Sequence, residues 1–274
     1  MKLQHACIRL GLLSALALQA STVLAVDAVL TGPNGTSTCQ GRTPTVVCGG
    51  GACAGPTNGA DVILGSNIAD IIDGLGGNDV ICGRGGNDSI KGGSGDDLVF
   101  GQDGNDSLNG GEGADFINGG ADRDTIQGGN GPDRIAGDAG DDQIWGDSII
   151  SLGLDAADRV EGGDGTDTLY GGGGDDYLWG NAGNDSLIGD AGKDHLLGGP
   201  DNDTLMGKAD DDQLDGDDGN DVLQGGDGDD LLFGDIGNLD SCDGEAGYNL
   251  DVIPNNGITT CEMPANLSGQ FFLP

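Results

Sequence analysis

Basic residues are scarce in this chain of 274 residues: 10 Lys and Arg stand against 47 Asp and Glu, for a formal net charge of -37. Nucleic-acid recognition needs a basic footprint to neutralise phosphate, so that class of partner is excluded. Anionic membrane surfaces are disfavoured for the same reason. Aromatic residues are scarce too, at 4%. A chain this acidic and this poor in aromatics cannot offset its chain entropy with a conventional apolar core. Beyond residue 25 no apolar run approaches the length of a membrane span. Histidine is nearly missing, and His195 is the one that follows the N-terminal leader. Neither an HExxH zinc motif nor a GxSxG elbow occurs, so the chain is not expected to be an enzyme.

What is abundant is glycine, with 58 residues, and it is periodic. A nine-residue unit, Gly-Gly-x-Gly-x-Asp-x-aliphatic-x, runs in frame from Gly65 to Trp145 as nine units and from Gly162 to Phe233 as eight more. GLGGNDVIC at 74–82, GRGGNDSIK at 83–91 and GGSGDDLVF at 92–100 are examples. A degenerate unit at 56–64 keeps Asp61 and Ile63, and another at 153–161 keeps Asp158 and Val160. Between the blocks, GDSIISL at 146–152 reads as a seven-residue insertion.

The ends read differently. Lys2 and Arg9, the apolar run Leu10–Leu18 and the small-residue site Val23-Leu24-Ala25 form a secretory signal peptide over 1–25. Residues 26–55 are an N-terminal Cys-containing cap, 56–243 the repeat array, and 244–274 a C-terminal cap or tail. Six Cys follow the leader: Cys39, Cys48, Cys53, Cys82, Cys242 and Cys261. An even count in an exported chain points to disulfides that clamp the ends of the array, with Cys242–Cys261 the preferred pair. A zinc site at Cys48 and Cys53 is the rival reading.

Within each unit the six Gly-rich positions cannot hold a helix, and several need the positive φ that Gly tolerates. The last three positions form a short strand with its aliphatic inward. That eighth position runs from Ile72 and Ile81 to Ile144, then from Leu169 to Leu232, and is never polar. Two units make one coil of eighteen residues with two short strands, an all-β parallel solenoid.

The sixth position is Asp in every in-frame unit, and alternate units stack on one edge. One column is Asp70, Asp88, Asp106, Asp124, Asp142, Asp167, Asp185, Asp203 and Asp221. The other is Asp61, Asp79, Asp97, Asp115, Asp133, Asp158, Asp176, Asp194, Asp212 and Asp230. This assignment requires the insertion to loop out without changing parity. At a strand spacing of about 4.8 Å, each neighbouring pair of carboxylates costs about 0.9 kcal/mol even in water-like dielectric. Divalent cations between coils relieve that repulsion. Carboxylate and carbonyl oxygens in flexible turns select calcium over transition metals and over magnesium. At most about 17 inter-coil sites would bring roughly +34, close to the charge they must balance. Turn formation alone would admit Asn, Ser or Gly at the sixth position, which the units never use.

These units resemble the repeats-in-toxin (RTX), or hemolysin-type calcium-binding, family over roughly residues 56–243. The resemblance implies a right-handed parallel β-roll that holds calcium between its turns, is largely unfolded without calcium and folds at extracellular calcium levels. It makes Asp79 to Asp142 and Asp167 to Asp230 the calcium ligands. Asp61 and Asp158, in degenerate units, and Asp70 are the weaker candidates. At Asp70 the turn Gly is replaced by Ile68, whose β-branch resists positive φ. Asp122, Asp201 and Asp210 replace the same Gly more mildly. The expected function is a secreted, non-catalytic, calcium-binding protein of structural or surface-matrix role. Alternatives are an adhesive module that binds cell-surface or matrix polysaccharide through Trp145, Tyr170, Tyr177 and Trp179, or the repeat part of an exported enzyme or toxin.

Overall fold

The computed structural model describes residues 39–147, 156–234, 241–243 and 250–252. The leader, the Cys242–Cys261 pairing and the end of the tail lie outside the described residues. Successive strands alternate between two parallel sheets, one of twelve strands from Val46–Val47 to Leu250–Val252, the other of eleven from Gly51–Ala52 to Ser241–Asp243. Each strand pairs with the strand two units away, so Ile81 faces Val99 and Val99 faces Ile117. No helix occurs among the described residues.

Most strands are six residues long rather than the three expected. Leu98–Asp103 and Ser107–Glu112 each run through positions seven to nine and on into the first three of the next unit. The pairing skips position one: Phe100 faces Asn118 and Gln102 faces Gly120. A left-handed residue at position two returns the chain to the ladder, with φ of 118° at Gly111 and 81° at Gln102. Leu75 and Arg84 take that conformation too (φ 76° and 87°), and none of these side chains is β-branched. Position four is left-handed as well, and Asp122, Asp201 and Asp210 adopt it at 76°, 87° and 76°. Ile68 does not.

The core is two facing single-file columns of eighth-position aliphatics, from Ile63 to Leu232, none more than 3% exposed. Every first-position glycine from Gly83 to Gly137 is buried beside them. A Cβ on Gly110 would overlap both the Asp115 Oδ2 and the carbonyl oxygen of Gly128 in the next coil. Position one is therefore glycine for lack of room, while positions two and four combine a left-handed backbone with a close carbonyl of the preceding coil, as at Gly111 and Gly113.

The N-terminal segment supplies a partial coil. Val46–Val47 pairs with Val62–Leu64 and Gly51–Ala52 with Asp70–Asp73, covering both sheet ends. Cys48 and Cys53 close that coil as a disulfide, which replaces the zinc reading. A second disulfide, Cys39–Cys82, straps the chain onto the outer face of the twelve-stranded sheet. There Cys39, Leu64, Val80, Cys82 and Phe100 form a separate apolar cluster.

The insertion lies later than the sequence suggested. Gly146 and Asp147 belong to the strand Gln143–Asp147, with Asp147 facing Gly129 at position two. The extra residues lie between Asp147 and Ala156. Parity is preserved, because Ile135 faces Val160 and Ile144 faces Leu169 across the junction.

Candidate calcium sites along the turns

The structure stacks the sixth-position Asp residues in the two expected columns. From Asp79 to Asp230 each is no more than 3% exposed, so the carboxylates form part of the interior. Their Oδ1 atoms build a ladder that the sequence did not reveal. From Asp61 to Asp212 the backbone N–H of each Asp donates to the Oδ1 of the Asp one coil later, as from Asp97 to Asp115 and from Asp106 to Asp124, both at 2.8 Å. The ladder crosses the insertion unbroken, Asp133 to Asp158 at 2.7 Å and Asp142 to Asp167 at 2.8 Å.

The second oxygen is different. In Asp79, Asp88, Asp97, Asp106, Asp115, Asp124, Asp133, Asp142, Asp158, Asp167, Asp176, Asp185, Asp194, Asp203 and Asp212, Oδ2 is buried and makes no hydrogen bond. It lies against the first glycine of its own unit, where a main-chain carbonyl of the next coil also approaches: Asp97 Oδ2 and the Gly110 oxygen both crowd Gly92. Two acceptors thus converge with no donor between them. Carbonyls at positions two and four point the same way along the axis, as Leu75 toward Gly93 and Gly77 toward Gly95. Leaving buried acceptors unmatched is costly, and a buried charge more so. Burial, reinforced by neighbouring Asp charges, pushes Asp97, Asp106, Asp167 and Asp203 up to about 7. The same causes push Asp124, Asp133, Asp158, Asp176 and Asp212 up to about 8.

Such oxygens fit a hard cation, which takes about 6–8 oxygen ligands and accepts carbonyls as readily as carboxylates. Among the described residues no cluster of three or more His, Cys, Asp or Glu side chains is arranged to hold a metal. A ligand set here must therefore mix few carboxylates with turn carbonyls.

Asp61 and Asp70 stand apart. Asp61 Oδ1 accepts from the Thr45 hydroxyl at 2.9 Å, and its Oδ2 from the Thr57 N–H and hydroxyl at 2.7 and 2.9 Å. Asp70 Oδ1 accepts from the Gly50 N–H at 2.9 Å, and its Oδ2 from the Ser66 N–H and hydroxyl at 2.6 and 2.9 Å. The Thr57 backbone N–H holds the Asp61 carboxyl below the usual range against the effect of burial. Asp158, expected to be weak, has the same buried geometry as the in-frame residues.

Position five carries a further ladder, on the outside and in the opposite sense. Asn87 Oδ1 accepts from the Asn105 N–H at 3.3 Å, and Asn202 Oδ1 from the Asn220 N–H at 3.0 Å. The frequent Asn and Asp at that position were the available signal. The four aromatics do not gather as one cluster: Trp145 stacks on Tyr170 on the eleven-stranded sheet, while Tyr177 stacks on Trp179 and His195 on the other.

Fold and turns together define a parallel β-solenoid with acidic, oxygen-rich turns, a calcium-binding β-roll. A family model described as the RTX calcium-binding nonapeptide repeat matches eight overlapping stretches, which together span residues 57–148 and 152–238. The chain belongs to the RTX calcium-binding nonapeptide repeat family, and it binds calcium. No curated protein matches its sequence. A crystal structure of a hyperactive, Ca2+-dependent, beta-helical antifreeze protein from an Antarctic bacterium is similar at 16% identity, covering 81% of this chain and 82% of that one with a TM-score of 0.36.

Proposed function

We propose that the chain is exported and folds outside the cell as calcium enters between successive coils, and that it then serves as a non-catalytic structural or surface-matrix protein. In this reading the carboxylates from Asp79 to Asp142 and from Asp158 to Asp230 are ligands, joined by turn carbonyls of adjacent coils. Asp61 and Asp70 act as structural caps. The observation that carries the assignment is the run of buried Oδ2 atoms without a hydrogen-bond donor. Export is supported by the leader-like residues 1–25 and by two disulfides, which persist in oxidising compartments. Before export, low cytosolic calcium leaves the acidic array unable to compact.

Calorimetric titration of the full chain tests the ligand assignment: many calcium ions per chain are expected, and one or none would overturn it. Export is checked by finding the processed chain, beginning near Val26, in the medium.

A second reading, binding of surface or matrix polysaccharide, rests on the ring stack Trp179–Tyr177–His195 beneath Arg159. Glycan-array binding lost in Trp179→Ala but kept in Trp145→Ala would place it on the twelve-stranded sheet. Equal binding by both variants would remove it.

A further inference from the structure

Basic side chains are few in this protein, yet two of them stand together. Arg134 and Arg159 open the strands Arg134–Ala139 and Arg159–Asp164 at the outward position seven, and they face each other in the twelve-stranded sheet. Both are exposed. Like charges directly opposite each other on neighbouring strands are destabilising. An acid in either place would remove that cost, in a chain where 47 acidic residues stand against 10 basic ones. The ion pairs among the described residues are Arg123–Asp141 and Lys193–Asp211, and neither Arg134 nor Arg159 takes part in one.

The same column continues as half-buried rings. Tyr177 faces Arg159 in register, and His195 faces Tyr177. The Arg159 guanidinium carbon lies 5.6 Å from the Tyr177 ring centre. Tyr177 and His195 stack at 4.8 Å, and Trp179 widens the strip at 5.9 Å from Tyr177. Burial holds His195 below its usual range against the charge of Asp175, so near neutral pH it joins as an uncharged ring. Charge at one end and rings at the other thus follow one another along the solenoid axis at the strand spacing of about 4.8 Å. Glu161 is the acid beside them. It is half-buried at position nine, facing Ala136 and Trp179, and burial and the charge of Asp138 raise its carboxyl. It suits hydroxyl donors and disfavours a densely charged ligand.

We propose that this strip binds an acidic glycan, with the carboxylate or sulfate of one sugar at the Arg134 and Arg159 guanidiniums and neighbouring sugars along Tyr177, His195 and Trp179. The proposal deepens the polysaccharide reading above and rests on it. A guanidinium presents a planar fork of donors that matches a carboxylate or sulfate, and two adjacent forks match it better than one. The rings offer apolar surface to the carbon-bound faces of sugars and polar edges to their hydroxyls. At a formal charge of -37 the bare chain repels such a ligand. Calcium between the coils cancels most of that charge, so binding belongs to the folded, loaded protein.

The test is calorimetric titration of the full chain with three sugars: a short galacturonate oligomer, its neutral methyl ester, and a sulfated galactose oligomer of the same length. Free calcium is matched in cell and syringe, because carboxylated sugars bind calcium themselves. Wild type is compared with Arg134→Gln, Trp179→Ala and Lys91→Gln. Lys91 is exposed on the other sheet, so its variant removes the same charge elsewhere. Wild type should bind one of the acidic oligomers roughly 10-fold tighter than the ester, as two exposed guanidinium contacts can supply, and salt should shrink that preference. The tighter of the two identifies the anion. Arg134→Gln should lose most of the preference with ester binding unchanged, Lys91→Gln should keep it, and Trp179→Ala should weaken acid and ester together. Equal binding of acid and ester by wild type, or a preference that survives Arg134→Gln or is lost equally in Lys91→Gln, overturns the proposal and leaves the polysaccharide reading standing. Loss of the β spectrum of Arg134→Gln in calcium also overturns it, because the pair would then be structural. Binding of none of the three sugars removes the polysaccharide reading as well.

Discussion

Asp61 and Asp70 occupy the same repeat position as Asp124, yet the chain treats them oppositely. At the N-terminal end, hydroxyls and amides from Thr45, Thr57, Gly50 and Ser66 meet the carboxylate oxygens. From Asp79 to Asp212 Oδ1 accepts from a backbone N–H, as at Asp142, and Oδ2 has no hydrogen bond and lies beside a carbonyl. Identical residues are therefore hydrogen-bonded at both oxygens in one region and left with an unmatched Oδ2 in the other. The switch is made at position two, where Thr57 and Ser66 carry hydroxyls that the array lacks.

Several measurements break or sharpen that contrast. The largest expected effect is on pH in chelator. Burial raises the array carboxyls, to about 6 at Asp115 and about 8 at Asp124, above the roughly 3.9 of an unfolded Asp. Folding then takes up protons, so this contribution is fully present below the unfolded value and is lost as pH rises through about 6 to 8. Asp61 has the opposite sign: its carboxyl is lowered, so its contribution holds above the unfolded value and fades as pH falls through its own. Strand content in chelator should rise as pH falls from about 8 to about 5, and a fall would contradict the assignment of burial to the array.

Next comes Gly110→Ala, whose Cβ would overlap Asp115 Oδ2 and the Gly128 carbonyl. It should cost about 2–4 kcal/mol in calcium-loaded denaturation, whereas Gly49→Ala, with open space around it, should cost under about 0.5 kcal/mol. Equal costs would show that the turns are not close-packed.

A smaller difference separates two amide substitutions. Asp124→Asn keeps an acceptor for the Asp106 N–H and should lower the calcium count with little loss of fold. Asp61→Asn sets an amide against the Thr57 donors and should cost about 1–3 kcal/mol with the calcium count unchanged. The reverse pattern would invert the comparison. The smallest effect is Ser66→Ala, about 0.5–1.5 kcal/mol for one hydroxyl, since the Ser66 N–H still reaches Asp70.

Much of this architecture was legible because each coil repeats one physical problem. The invariant aliphatic at position eight located the core columns, and the invariant Asp located both edges, including their continuation through Asp133–Asp158 and Asp142–Asp167. What was hidden depends on where particular atoms point. Strand length turned on left-handed residues such as Gln102 and Lys208, whose side chains do not advertise that conformation. The place of the insertion turned on Gly146 and Asp147 keeping the ladder register, a choice composition does not make. The Cys39–Cys82 strap required knowing that Leu64, Val80 and Phe100 form an apolar patch on the outside of a sheet. The two roles of Asp were hidden for the same reason, since Thr57 and Ser66 look like ordinary turn residues in sequence.

Far-UV circular dichroism of the full chain, stripped by chelator at neutral pH and then titrated with calcium, tests the central claim most directly. The unmatched Oδ2 columns predict a largely disordered spectrum that converts to β-structure as calcium is added. A β spectrum already complete in chelator and unchanged by calcium would contradict it.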